Sequence, residues 1–166
     1  MAYPRITLGG VEIVLHAGAP EESVEPIGGE VLLRLSLGAG VKMEHWTKAS
    51  GTISSQGWMP PGLDGLDYSQ PLELRSTQVE NIVGAGLVHT LTSTPRPDFA
   101  PWGQAMLNGH WVRTTCTVLD GVATVGAVAG ATLYQVSWMP VYSVFARKPS
   151  KAQSSIHGWS IAWEEK

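Results

Sequence analysis

The 166-residue chain has few charged residues and a single cysteine. Asp, Glu, Lys and Arg make up 15% of it, whereas an average soluble domain carries about 25%. Because Cys116 stands alone, an intrachain disulfide and any site built from several cysteine ligands are excluded. A surface with few charges leaves more apolar area outside, so we expect part of the exterior to meet protein rather than water.

The chain also lacks long apolar runs and basic clusters. No run approaches the ~20 apolar residues of a membrane-spanning helix, and residues 1–5 lack the charged and apolar regions of a signal peptide. The net charge is −3, and no basic cluster is denser than Arg147, Lys148 and Lys151. We therefore expect a chain made in the cytoplasm, with no membrane insertion and no specific binding of nucleic acid.

Turn-forming residues are abundant and divide the chain into short segments of alternating apolar residues. There are 19 Gly and 11 Pro, and no long window free of them shows the apolar stripe of a helix. The clearest turn is Asp120-Gly121, a pair that favours the positive φ angles of a tight hairpin. The pattern predicts one all-β domain over residues 1–166: an antiparallel β-sandwich or barrel with long Pro/Gly-rich loops. At most one short helix is expected, near residues 21–24 or 102–107.

The expected strands follow the alternating apolar pattern. They cover residues 6–15 (a hairpin around Gly9 and Gly10), 31–37, 41–46, 52–58, 72–77, 87–92, 111–118, 122–128, 133–138, 141–146 and 156–163. Two irregular segments, residues 18–29 and 94–109, are expected to be long loops. Ordered loops of more than about 12 residues in a compact domain are usually functional.

The segment after residue 57 is rich in Pro, Gly and Asp, yet it also carries large apolar side chains. Such a loop packs either against its own domain or against a neighbouring protein. The loop at residues 94–109 shares this character, since it combines prolines with aromatic residues. The residues expected at an interface are Trp58, Met59, Leu63, Leu66, Tyr68, Phe99 and Trp102.

Signatures of catalysis and metal binding are missing from the sequence. The histidines at positions 16, 45, 89, 110 and 157 are not at metal-ligand spacing. Asp64 and Asp67 lack the other oxygen ligands of a calcium loop. The sequence contains no phosphate-binding loop, dinucleotide fingerprint or Gly-x-Ser-x-Gly elbow. We therefore expect no catalytic residues, no metal and no cofactor, and a protein that is not an enzyme.

One region resembles a known group of proteins. Trp46-Thr47-Lys48, the Thr/Ser-rich strand after it and residues 57–69 are similar to small tail-tip (baseplate) proteins of long, flexible-tailed bacteriophages. The upstream residues 25–29 and 33–36 share the likeness, which covers residues 25–76. Within that group the chain is most like the distal tail protein, a β-rich ring subunit that joins the tail tube to the tip.

The resemblance implies a structural virion subunit, located at the tail tip and assembled in the host cytoplasm. The implied partners are other copies of the chain in a six-fold ring, the tail tube protein and other tail-tip proteins. DNA would pass through the ring without specific binding. A tail-tube or other baseplate subunit is the nearest variant of this interpretation. The alternative is a carbohydrate-binding or receptor-binding β-sandwich module, because Trp and Tyr on a sheet face can stack on sugar rings.

Overall fold

The computed structural model describes residues 3–166, which are almost entirely β. The strands are β1 (Thr7–Leu8), β2 (Val11–Glu12), β3 (Glu21–Arg34), β4 (Gly40–Gly57), β5 (Leu72–Arg75), β6 (Glu80–Gly84), β7 (Val88–Thr90), β8 (Trp102–Leu107), β9 (His110–Thr114), β10 (Cys116–Leu119), β11 (Val122–Val125), β12 (Tyr134–Trp138), β13 (Val141–Ala146), β14 (Ser150–Gln153) and β15 (His157–Glu165). Among the described residues, the 3-10 turn Leu15–Ala17 is the only helical element. The predicted all-β, sandwich-type class with antiparallel sheets is confirmed.

The chain divides into two compact units. The first unit contains residues 3–12 and Glu73–Tyr142, and the second contains Ile13–Leu72 and Ser143–Lys166. Folding of residues 1–166 as a single domain stays a prediction.

The first unit is built from short antiparallel sheets. One sheet has the order β6-β12-β8-β9, another has the order β10-β11-β7, and β1 pairs with both β2 and β5. The core between the larger sheets consists of Ala105, Ala123, Val125, Tyr134, Val136 and Trp138. The predicted hairpin turn is confirmed, since Asp120 and Gly121 have φ angles of 49° and 76°, the positive values that such a turn requires.

The first unit also contains a buried arginine, Arg96, which is 2% exposed. Its guanidinium donates two hydrogen bonds to the Asp98 carboxylate, through Nε at 2.7 Å and Nη2 at 2.9 Å. Nη1 donates to the Ser76 carbonyl at 3.0 Å and Nη2 to the Arg5 carbonyl at 2.9 Å. A charge can be buried when its hydrogen-bonding groups are satisfied in this way, so Arg96 joins three segments of the unit.

The second unit contains a sheet with the order β13-β15-β4-β3, in which β14 pairs with the first part of β15. The spacing of Trp159, Ile161 and Trp163 in the sequence predicts that they share one face of a strand. The structure confirms this, because all three are buried while Ala162 is exposed. Trp159 Nε1 donates a hydrogen bond of 2.8 Å to the Ala17 carbonyl. This bond ties the turn Leu15–Ala17 to the sheet.

The first predicted loop, at residues 18–29, is wrong. No helix forms at residues 21–24, which agrees with the expectation of at most one short helix. These residues belong largely to β3, which pairs with β4 from Glu21 to Arg34. Since β3 is the last strand of the sheet, Pro26 can lie in it without removing a ladder hydrogen bond. The strands predicted at 41–46 and 52–58 are likewise parts of the continuous β4. Pairing with a long partner strand overrides the local turn signals.

The second predicted loop, at residues 94–109, is wrong in its second half, where a strand forms. Trp102–Leu107 forms β8, which lies between β12 and β9 in its sheet. Its buried positions are the small residues Gly103 and Ala105, so the apolar alternation that identifies a strand is weak there. Two strands that the sequence did not predict, β6 and β14, are short and partly polar.

Candidate interface

The β3–β4 hairpin extends beyond the rest of its sheet as a two-stranded ribbon. We call residues 30–47 the arm; every one of them is exposed. β15 pairs with β4 only from Ser50 to Gly57, so among the described residues the strands of the arm pair only with each other. A two-stranded ribbon is at best marginally stable in water, which makes an uncovered arm the main candidate for a contact surface.

The two faces of the arm differ in chemistry. The register places Val31 opposite Met43 and Leu33 opposite Val41, and residues directly opposite each other project from the same face of a ribbon. These four side chains, between 40% and 51% exposed, form what we call the apolar face. The other face carries Lys42 between two carboxylates, with its Nζ 2.6 Å from Glu30 Oε2 and 3.6 Å from Glu44 Oε2. On the charged face Lys42 therefore has its own acidic partners, whereas the apolar face is left open.

The tip of the arm is a closed turn that points a leucine outward. The Leu35 N–H donates to the Ala39 carbonyl at 2.9 Å, and the Gly38 N–H donates to the Leu35 carbonyl at 2.8 Å. Gly38 has a φ of 78°, a conformation that favours glycine. Leu37 is 97% exposed at this turn, so the backbone holds an apolar side chain almost wholly in water.

The loop after β4 packs on its own unit through only some of its predicted interface residues. Leu63 is fully buried, and the Tyr68 hydroxyl donates a hydrogen bond of 2.8 Å to the Leu63 carbonyl. Leu66 and Tyr68 are half-buried, whereas Trp58 is 78% and Met59 46% exposed. Leu63 is thus the buried residue of this group, and only Trp58 and Met59 present large apolar side chains to the outside.

Trp58 and Met59 lie beside another exposed apolar residue. The Met59 N–H donates to the His16 carbonyl at 3.0 Å, and the neighbouring Leu15 is 68% exposed. We call Leu15, Trp58 and Met59 the Trp58 patch. Residues 15–20 and 57–63 contain no Asp, Glu, Lys or Arg, so the two segments that bear the patch carry no carboxylate, ammonium or guanidinium group.

Phe99 and Trp102, the predicted interface residues in the first unit, lie against each other. Their ring centroids are 5.8 Å apart at an interplanar angle of 84°, the edge-to-face arrangement that aromatic pairs favour. Tyr3 lies against Phe99 in a tilted arrangement, with a centroid distance of 6.2 Å and an interplanar angle of 52°. Both Phe99 and Trp102 are half-buried, so much of their surface is used within the unit.

Two observations concern metal binding and thiol reactivity. In the part of the chain that the structure describes, no group of three His, Cys, Asp or Glu residues could hold a metal ion. Cys116 is half-buried, and burial raises the pKa of its thiol, which lowers the fraction of reactive thiolate. No helix within residues 3–166 is long and apolar enough to cross a membrane.

Comparisons with known proteins find no counterpart: no family model, no curated protein and no solved structure matches the chain.

Proposed function

We propose that the protein is a structural subunit of a phage tail tip. In this proposal, copies of the chain close into a ring that connects the tail tube to the tip proteins around the DNA channel. The single observation that carries the proposal is the arm, an ordered hairpin whose apolar face has no cover within its own unit. The resemblance of residues 25–76 to tail-tip proteins is the reason for proposing a phage tail tip as the location.

Exposed apolar area supports self-assembly. The arm displays Val31, Leu32, Leu33, Leu35, Leu37, Val41, Met43 and Trp46, each at least 40% exposed. They lie on both faces and at the tip of the arm, so the apolar area left in water is spread over the whole arm. A monomeric protein rarely leaves this many large apolar side chains of one element without a cover. When one surface meets a different surface on the next copy, the copies must close into a ring or polymerise without limit.

The role proposed for the ring is mechanical and involves no catalysis. A wall around moving DNA must not bind a polyanion tightly, so the residues that line the channel should be neutral or acidic on balance. The net charge of −3 is compatible with that requirement. Hexameric stoichiometry, the tail tube and tip proteins as neighbours, and location in the virion belong to the same proposal.

Native mass spectrometry and negative-stain microscopy over a concentration series, with and without tail-tube protein, test the proposal. We expect closed rings with one dominant stoichiometry, and the protein at the tail tip when purified particles are labelled with antibody. A strict monomer under every condition, absent from particles, would overturn the proposal.

A carbohydrate-binding module is the second candidate, and one observation favours it. The indole of Trp58 is 78% exposed and that of Trp46 is 51% exposed, and such rings can stack on sugars. Glycan-array binding that is lost in Trp58→Ala, by a chain that stays monomeric, would support this candidate over the ring.

A further inference from the structure

We infer that the apolar face of the arm in one copy docks on the Trp58 patch of the next copy, head to tail. This inference rests on the proposed self-assembly and names the two surfaces that meet. The occupant of the arm is therefore a second copy of this chain.

The length of β4 separates the two surfaces within one chain. The arm includes the start of β4 at Gly40, and the Trp58 patch begins directly after its last residue, Gly57. The strand has 18 residues, which at about 3.4 Å per residue span roughly 55–60 Å of strand. The apolar face cannot cover the Trp58 patch of its own β4, so the two surfaces meet only between copies.

The two surfaces are alike in polarity. Val31, Leu33, Val41 and Met43 present aliphatic side chains, and the Trp58 patch presents two aliphatic side chains and one indole. The tip, residues 35–39, and the segments that bear the patch contain no Asp, Glu, Lys or Arg, and His16 is their one titratable side chain. Contact between them therefore buries apolar area without burying an unpaired charge, which would be costly.

The charged face of the arm is suited to remain in water while its opposite face docks. Lys42 pairs with Glu30 and Glu44 on the arm itself, so no partner is needed to neutralise these groups.

Trp58 has the character of an interface anchor, since a large exposed aromatic side chain contributes much of the binding energy when a partner covers it. The proposed contact joins unlike surfaces, and its repetition gives a ring or a filament.

Mixing two variants, each altered on only one of the two surfaces, tests the contact. Leu33→Glu places a carboxylate on the apolar face, and Trp58→Lys places an ammonium on the patch. Each variant alone should weaken assembly in sedimentation velocity at least tenfold, equivalent to about 1.4 kcal/mol, because each replaces an apolar contact with an unpaired charge. An equimolar mixture of the two should recover dimers, since the unaltered arm of a Trp58→Lys chain can dock on the unaltered Trp58 patch of a Leu33→Glu chain. The matched control is Leu32→Glu, which changes a leucine that is 59% exposed but lies on the charged face, opposite Lys42.

Cross-linking tests the head-to-tail geometry. In a Cys116→Ser background, Leu37→Cys and Met59→Cys chains are purified separately, mixed and treated with a bis-maleimide of about 10 Å reach. We expect a covalent dimer that contains one chain of each kind. Leu119→Cys serves as the control in place of Met59→Cys, because Leu119 is 76% exposed in the first unit and outside the proposed contact.

The outcomes separate this inference from the proposed function. Circular dichroism first verifies that each variant keeps its β structure. Assembly that survives Leu33→Glu and Trp58→Lys unchanged overturns the docking contact and leaves the ring intact. No assembly of the unmodified chain under any condition overturns both. Arm-dependent binding to neutral phosphatidylcholine vesicles, without self-association, would identify a lipid surface as the occupant and also overturn the contact.

Discussion

The indole of Trp46 lies against Gly29 at the point where the arm leaves the sheet. A Cβ atom at Gly29 would be only 2.7 Å from Trp46 Nε1. The β3–β4 register shifts between Gly28 and Glu30, so that His45 and Trp46 both lie opposite Gly29. A bulge of this kind bends the strand and increases its twist. The close approach of a rigid indole to a residue without a side chain therefore helps to set the direction of the arm.

Gly29→Ala should loosen the arm by displacing the Trp46 indole. The added methyl group overlaps the ring, and overpacking of this kind typically costs about 1–3 kcal/mol. We expect faster tryptic cleavage at Arg34 and Lys42 on the arm, with little change in the global unfolding midpoint. Mass spectrometry of the early fragments measures the rates. Gly62→Ala is the control, because nothing lies within 4 Å of a Cβ there; equal cleavage of both variants would contradict the packing role of Gly29.

Alanine substitutions at Leu63 and Met59 should have very different effects on the free energy of unfolding, although both residues lie in one loop. Leu63 is fully buried, so Leu63→Ala leaves a cavity and should lower the free energy of unfolding by about 2–5 kcal/mol. Met59 is 46% exposed, and Met59→Ala should change the free energy by no more than about 0.5 kcal/mol. Urea unfolding followed by circular dichroism compares the two, and similar losses would show that the loop is not anchored through Leu63.

Substitution of Trp138 should lower the stability of the fold, whereas substitution of Trp58 should reduce assembly. Trp138 is fully buried and its Nε1 donates to Ser93 Oγ at 2.9 Å, so Trp138→Ala should cost about 3–5 kcal/mol of stability. Trp58→Ala should unfold at nearly the same urea concentration as the unmodified chain but form fewer oligomers. A large loss of stability in Trp58→Ala, measured at a concentration where the chain is monomeric, would count against the exposed placement of this indole.

Acid stability should depend on Asp98. Hydrogen bonds from Arg96 are the main reason that the pKa of Asp98 falls from its ordinary 3.8 to about 2. A carboxyl whose pKa is lower in the folded state stabilises the fold above the unfolded pKa and loses that contribution as the pH falls through the folded pKa. The contribution should therefore be complete above about pH 5 and should disappear between about pH 4 and pH 2.

The comparison of the unmodified chain with Asp98→Asn in urea unfolding from pH 6 to pH 2 tests this expectation. The amide that replaces the carboxyl cannot ionise, so the variant should be less stable near neutral pH and should lose less stability on acidification. The Asp98 side chain is 40% exposed, so solvent screening keeps the effect modest. Parallel pH profiles for the two proteins would exclude Asp98 as a source of the acid dependence.

Much of the fold could be predicted from local sequence because strands and tight turns leave local signals. The pair Asp120-Gly121 specified its turn, and the alternation of Trp159, Ile161 and Trp163 specified the buried face of β15. Where strand residues are small or polar, as at Gly103 and Ala105 in β8, the same reasoning failed. Burial of such positions is decided by neighbouring strands that are distant in sequence.

The candidate interface, too, could be predicted from the sequence only in part. Sequence alone identified Trp58 and Met59 as large apolar residues in a turn-rich segment, but it could not separate them from Leu63, which is buried in its own unit. It also predicted strands on both sides of residues 38–40 without indicating that no layer covers them. Alternating apolar residues look the same in a strand that faces a core and in one that faces water.

The sequence by itself determined that the chain is β-rich, low in charge and rich in turns, because these properties depend on composition and on neighbours along the chain. The tertiary structure decided which apolar residues remain outside. Pairing of Glu21–Arg34 with Gly40–Gly57 carries the arm past the end of β15, and only that long-range register leaves Leu33 and Val41 without a cover. Exposure is a property of packing, and packing is fixed by contacts between residues far apart in sequence.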